Sequence, residues 1–196
     1  MLNLPKIIAV SKTFKIDKII PLIDYGHTDF GENKIQEAID KWTTIKSNNS
    51  NIKLHMIGKL QTNKVKFALK LFDYIHSVDS QKLAKKIADE QLKINKKLKT
   101  FIQVNIGNEN QKSGIHKTQL DDLVLYCKKN NLNVVGLMCI PPANIKSSIY
   151  FDEMNILNKE LGFFELSMGM SSDYLHASLN SATFLRIGSS IFGERF

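Results

Sequence analysis

Cysteine and arginine are both scarce in this chain, at two residues each. The two cysteines, Cys127 and Cys139, share no short metal-binding or redox spacing. A disulfide scaffold and a zinc module are therefore excluded, and the pair reads as reduced, small apolar residues of a cytoplasmic protein. No apolar run approaches the roughly 18–20 residues of a membrane span. The first residues, MLNLPKIIAVSK, lack a charged segment followed by a long apolar core, so they do not read as a secretory signal. Linkers, low-complexity tracts and composition breaks are missing as well. One domain over residues 1–196 is expected.

What is abundant is lysine. The chain carries 27 Lys+Arg against 19 Asp+Glu, a formal charge of +8. Of the 27, 25 are lysines, spread over nearly the whole length, and the densest group is Lys93, Lys96, Lys97 and Lys99. Such dispersion describes a solvated surface rather than a nucleic-acid face. The two arginines, Arg186 and Arg195, both fall in the last eleven residues. A chain that uses Lys almost everywhere keeps Arg where a planar, permanently charged fork is needed.

Short β-rich runs alternate with amphipathic ones. Strands are expected at 7–10, 28–30, 54–57, 74–77, 100–106, 133–138, 165–168 and 183–187. Helical spacing of apolar residues recurs at 16–25, 33–44, 64–71, 80–92, 118–130 and 149–161, with Asp79 or Ser80 as a cap for the fourth. Eight such units imply an α/β fold: a compact single-domain (β/α)8 TIM-type barrel, with an open doubly wound sheet as the alternative.

Chemistry in a barrel collects where strands end. Lys12 directly follows the first apolar strand and is placed to act as an amine nucleophile in the barrel mouth. The ends of strands seven and eight both put Gly and Ser before a short helical run, a phosphate-binding arrangement. There Gly188 allows close backbone approach, while Ser171 and Ser189 add hydroxyls. With Arg186 beside them, an amine, a phosphate cradle and a cation share one face. Pyridoxal 5′-phosphate (PLP) matches that trio. An Arg on its ring nitrogen would keep the nitrogen unprotonated and the electron sink weak.

The stretches AVSKT, FGENKIQEA, LHMIGKLQTNK, IHSVDS, QVNIGNENQKSGI, GLMCIPP, LSMGMSSD and RIGSSIFGER occur in the order found in one family. On them the chain resembles the YggS/PROSC-type PLP homeostasis proteins, and through them the barrel domain of alanine racemase. The resemblance implies a fold-type III PLP-binding barrel in which Lys12 holds PLP as a Schiff base and Arg186 meets the pyridine nitrogen. It implies that Gly188, Ser189 and Ser171 bind the phosphate, and that Asn33, His55, His76, Asn105 and Met168 line the site. For the two histidines a packed, hydrogen-bonded core role stays open, and for Asn33 a helix cap. Arg195 is expected to hold the C-terminal segment.

The family usually carries a helix before the AVSK strand, whereas here Met1 stands six residues before Ile7. Either the start is misassigned or this member is expected to lack that helix. Its absence is expected to uncover the flank near the first and last strands and to favour a weak homodimer over a monomer, or easy melting. The resemblance implies PLP homeostasis without catalysis, with PLP-dependent apo-enzymes as recipients, no nucleic-acid or membrane partner and no metal. A fold-type III amino-acid racemase is the alternative. It would need a second base, which Tyr25, Tyr74, Tyr126, Tyr150 and Tyr174 do not offer from clear strand-end positions.

Overall fold

The computed structural model describes residues 4–142 and 147–194. Eight parallel strands, β1 (Lys6–Val10), β2 (Asp29–Glu32), β3 (Lys53–Met56), β4 (Tyr74–Val78), β5 (Lys99–Val104), β6 (Asn133–Cys139), β7 (Glu165–Met170) and β8 (Phe184–Ile187), pair in sequence order. Parallel pairing of β1 with β8, from Lys6 opposite Phe184 to Ala9 opposite Ile187, closes the barrel. Every residue of β4 and β8 is buried. A strand covered on both faces shows no polar alternation, and the buried Ser77 hydroxyl of β4 is left without a hydrogen-bond partner.

Around the barrel lie α1 (Ile16–Asp24), α2 (Ile35–Asn48), α3 (Val65–Leu71), α4 (Gln81–Ile94), α5 (Leu120–Lys129), α6 (Ser147–Glu160), α7 (Tyr174–Leu179) and α8 (Ser189–Phe192). In α3 and α4 the buried stripes include the residues the helical spacing marked, whereas in α1 only Ile19 is buried and Ile20 is exposed. In α4, Leu83, Ala84, Ile87 and Ala88 face inward. Ser80 caps that helix, its hydroxyl accepting from the Leu83 N–H, and Asn95 ends it in the left-handed region at φ 48°. Short 3-10 turns at Thr62–Lys64 and Lys117–Gln119 precede α3 and α5, so those helices begin later than the periodicity alone suggests.

Two core layers result. The larger one fills the space between strands and helices, around Phe30, Trp42, Leu69, Phe72 and Met154. A smaller one fills the barrel with Ile8, Tyr74, Phe101, Met138 and Phe184. A TIM-type interior is ordinarily packed with branched aliphatic residues. Here aromatic rings and two histidines occupy much of it. His55 stacks on Tyr74 at 4.3 Å between ring centroids, and His76 stacks on Phe101 at the same distance.

The mouth is shaped by one irregularity. Ser167 pairs with Phe184 and Met170 with Arg186, so β7 spends three residues where β8 spends two. Gly169 absorbs the bulge at φ 86°, and an added Cβ there would lie 2.5 Å from the Ala177 Cβ. The bulge turns Met170 and Ser171 toward the mouth while Ser167 stays inside the barrel.

Candidate functional site

An open cavity of about 540 Å³ lies at the C-terminal ends of the strands, within the usual range for small-molecule sites. Lys12, Asn33, Ser171, Arg186, Gly188 and Ser189 line it together, with Ile57, Ile140 and Glu194 completing the wall. Six of the ten residues that the sequence reading placed at a site thus meet on one surface.

Lys12 comes from the turn after β1, and that turn is braced from outside the barrel. Lys41 of α2 donates to the Ser11 carbonyl at 2.8 Å, and Glu37 accepts from the Thr13 N–H. Ser11 donates its hydroxyl to the buried Glu32 carboxylate at 2.7 Å, and the Trp42 indole N–H donates to the same oxygen at 2.9 Å. The Lys41 ammonium lies 2.9 Å from Glu32 and 3.1 Å from Glu37. Burial would raise the Glu37 carboxyl pKa, but the Thr13 N–H and Lys41 hold it below the usual range. Thr13 itself sits at φ 68°, a strained conformation for a β-branched residue, which these contacts sustain. The sequence reading saw none of this bracing, because its polar partners lie on the outer face of β2 and on α2.

The other wall is the turn between β8 and α8. Gly188 N–H and Ser190 N–H converge on the Ser171 hydroxyl oxygen at 3.3 and 3.4 Å. Gly188 stands immediately before α8. Both amides are taken up by the Ser171 oxygen, which leaves its hydroxyl hydrogen to be directed elsewhere.

Arg186 supplies the charge below them. It is 4% exposed, with one terminal nitrogen donating to Ser167 Oγ at 2.9 Å and the other to the Cys139 carbonyl at 2.8 Å. Burial lowers its pKa, yet a guanidinium stays protonated and only donates. The residues therefore fit PLP by chemistry: an amine for the aldehyde, a hydroxyl-bearing turn for the phosphate, and a fixed cation for the ring nitrogen.

The remaining four expected residues stand elsewhere. His55 and His76 are fully buried inside the barrel. His55 Nδ1 lies 3.0 Å from His76 Nε2, and His76 Nδ1 lies 2.9 Å from Ser167 Oγ. They occupy the core role left open for them and touch the cavity only through Ser167 and Arg186. Met168 is fully buried in the outer apolar layer. The β7 alternation that turns Ser167 inward turns Met168 away from the cavity. Asn105 binds its own loop, accepting from Glu109 N–H and donating to the Glu109 carbonyl. It lines a separate cavity beside Asp79 and His116. Asn33 is not the helix cap, since α2 is preceded by Lys34. Arg195 lies outside the described residues.

Val10, Met170 and Ser172 also line the cavity and were not singled out from sequence. Their signal was available, since all three flank the strand ends already marked. Glu32 and Ser167 stand in strand ends marked from the sequence without a role given to them, and Asp29 carried no such signal. Two free thiols complete the picture. Burial pushes both Cys127 and Cys139 up to about 12, consistent with inert packing. Among the described residues no group of His, Cys, Asp and Glu could hold a metal ion, and no helix is long and apolar enough to cross a membrane.

Residues 1–195 match the family described as alanine racemase, N-terminal domain. The chain is 35% identical over 201 residues to the pyridoxal phosphate homeostasis protein of Vibrio cholerae, covering 97% of this chain and 85% of that one. Against the protein of the same name in Aquifex aeolicus it is 36% identical, covering 98% and 88%. Among solved structures, PipY of Synechococcus elongatus without PLP superposes with a TM-score of 0.90 at 32% identity, covering 96% and 93% of the two chains. The same protein with PLP bound gives 0.84 at 32% identity, covering 96% and 92%. An alanine racemase of Clostridium difficile shares the fold, with a TM-score of 0.76 at 13% identity over 97% of this chain and 52% of that one.

Proposed function

This chain belongs to the alanine racemase N-terminal domain family and, within it, to the pyridoxal phosphate homeostasis proteins, and on that premise we propose that it binds and holds PLP without turning over amino acids. The observation that carries the reading is the meeting of Lys12, Arg186 and the Ser171–Gly188–Ser189 cradle on one cavity. PLP supplies an aldehyde that condenses with an amine and a ring that can delocalise charge. Lys12 is the amine placed to hold it. Arg186 offers the ring nitrogen a donor that cannot give up its proton, so the nitrogen stays unprotonated and the ring a weak electron sink. The Ser171 hydroxyl and the turn before α8 meet the phosphate. Asn33 closes the wall beside Lys12, with its backbone held against Gly58.

Catalysis of racemisation needs a base on each face of the bound substrate. Lys12 serves one face. Tyr25, Tyr74, Tyr126, Tyr150 and Tyr174 are not among the residues that line the cavity. In this reading the chain acts in the cytoplasm as a monomer or weak homodimer and passes PLP to PLP-dependent apo-enzymes. The test is incubation of the PLP-loaded protein with L-alanine in deuterated water. Negligible α-deuteration is expected. Multiple turnover at ordinary enzyme rates, about 1 s⁻¹ or faster, would show an enzyme instead.

A further inference from the structure

Five polar residues from five strands form one continuous line through the barrel interior. Arg186 of β8 meets Ser167 of β7 at 2.9 Å, and Ser167 meets His76 Nδ1 of β4 at 2.9 Å. His76 Nε2 meets His55 Nδ1 of β3 at 3.0 Å, and His55 Nε2 meets Asp29 Oδ1 of β2 at 3.1 Å. Only the first of the five lines the cavity. Asp29 stands at the first residue of β2, so it lies at the opposite end of the barrel, where Thr28 donates to its second oxygen at 2.7 Å.

The direction of every hydrogen bond in this line is determined by chemistry. A guanidinium has no acceptor, so Arg186 donates and Ser167 Oγ accepts. At the other end the Asp29 carboxylate only accepts, so His55 donates from Nε2. With both histidines neutral, each accepts at Nδ1, which turns the serine hydrogen onto His76 Nδ1. Burial, with His55 and Arg186 beside it, keeps His76 neutral, so its one proton sits on Nε2 and is donated to His55 Nδ1. His55, also kept neutral by burial, carries its proton on Nε2 and donates it to the Asp29 carboxylate. Donors all point from the cation toward the anion, the arrangement in which neighbouring hydrogen bonds polarise and strengthen one another. The flanking contacts are apolar: Tyr74 on His55, Phe101 on His76, and Phe184 at the edges of both imidazoles. A barrel centre could be filled more cheaply by aliphatic side chains, so this buried line calls for a role.

We propose that Ser167, His76, His55 and Asp29 are positioning residues for Arg186, holding its guanidinium in one orientation through a unidirectional hydrogen-bond line that ends on the carboxylate at the far mouth of the barrel. Ser167 and the Cys139 carbonyl fix one terminal nitrogen each, so the guanidinium plane cannot rotate and its remaining edge is presented to the cavity. The two histidines and Asp29 keep the Ser167 hydrogen turned away from Arg186. The importance of this geometry for the cofactor rests on the PLP-binding reading; the line itself does not.

The experiment is nitrogen-15 NMR on the full chain without PLP. Arg186 is one of only two arginines, so Arg195→Lys assigns its guanidinium signals. In the wild type both His55 and His76 are expected as the Nε2–H tautomer, and the Arg186 terminal nitrogens as separate, slowly exchanging signals. Ser167→Ala is expected to collapse the Arg186 signals by freeing rotation and to mix the His76 tautomers. Asp29→Asn, four hydrogen bonds from Arg186, is expected to shift the tautomer balance of both histidines. PLP affinity of Ser167→Ala should fall about tenfold, the loss expected for one buried charge-assisted hydrogen bond. Nδ1–H or protonated histidines in the wild type would overturn the proposal without any variant having to fold. So would a folded Ser167→Ala with wild-type Arg186 signals. A wild-type chain with the expected tautomers that fails to bind PLP would overturn the functional reading alone.

Discussion

In the proposed reading Ser171 carries the phosphate half of the site, and two backbone amides converge on its hydroxyl. Its replacement by Ala removes a donor to the phosphate and leaves the Gly188 and Ser190 amides without their acceptor. PLP binding should weaken by about 1–3 kcal/mol, measured by fluorescence or calorimetric titration. Pyridoxal, which lacks the phosphate, should bind far more weakly than PLP and should not discriminate Ser171→Ala from the wild type. The histidines yield a second prediction at this scale. His76 is held well below its ordinary value chiefly by burial, and His55 is lowered by burial against the opposing pull of Asp29. Both are neutral when folded and gain protons when unfolded, so their contribution is complete above an unfolded pKa of about 6.5 and is lost as pH falls below it. Asp29 is held below its ordinary value because the hydrogen bonds from His55 and Thr28 outweigh its burial, so its contribution is lost in a separate, more acidic window. Thermal melts from about pH 7.5 to 5 should fall steeply in the wild type. A His55→Asn/His76→Asn double variant should start lower at neutral pH and fall less.

At the scale of elements, close backbone approaches locate the site as firmly as side chains do. A Cβ on Gly58 would stand 2.3 Å from the Asn33 carbonyl oxygen, and one on Gly136 only 1.7 Å from the Glu165 carbonyl oxygen. Gly58→Ala should therefore push the loop after β3 against the loop after β2, moving Asn33 and weakening PLP with a modest fall in melting temperature. Gly136→Ala forces β6 away from the start of β7, and soluble, folded protein should be largely lost. These outcomes are separable by circular dichroism and PLP titration on the two variants. The order of the strands and helices was legible in the sequence because each unit carries its own period and its own turn. Boundaries moved by a few residues where 3-10 turns or the β7 bulge intervene. The site was legible where a residue type was unusual for its place, as with Lys12 after an apolar strand or Arg186 in a lysine-rich chain. Asp29 and Ser167 were not, since an Asp or Ser at a strand position looks the same whether it faces water or a histidine. Asn105 and Met168 were assigned by motif neighbourhood, and neither neighbourhood nor strand order reveals which way a side chain turns.

For the whole molecule, the proposed binding of PLP to the folded state should raise the melting temperature in proportion to the logarithm of its concentration. At a hundred times Kd the stabilisation is about 2.7 kcal/mol. The effect should vanish in Lys12→Ala only if the lysine contributes most of the affinity, and should shrink in Ser171→Ala in step with its weaker binding. One strand of the barrel is less well covered than the others. Ile7 of β1 is 44% exposed, and α8, the last described helix, spans four residues. Light scattering with and without PLP would show whether that flank associates in solution.

The central claim is that Lys12 is the residue on which PLP is held. Borohydride reduction of the PLP-loaded protein, followed by peptide mapping, tests it most directly. The account predicts a yellow protein that bleaches on reduction and carries one pyridoxyl group on Lys12. A label on any other of the 25 lysines, or a protein that binds PLP and releases all of it after reduction, would contradict it.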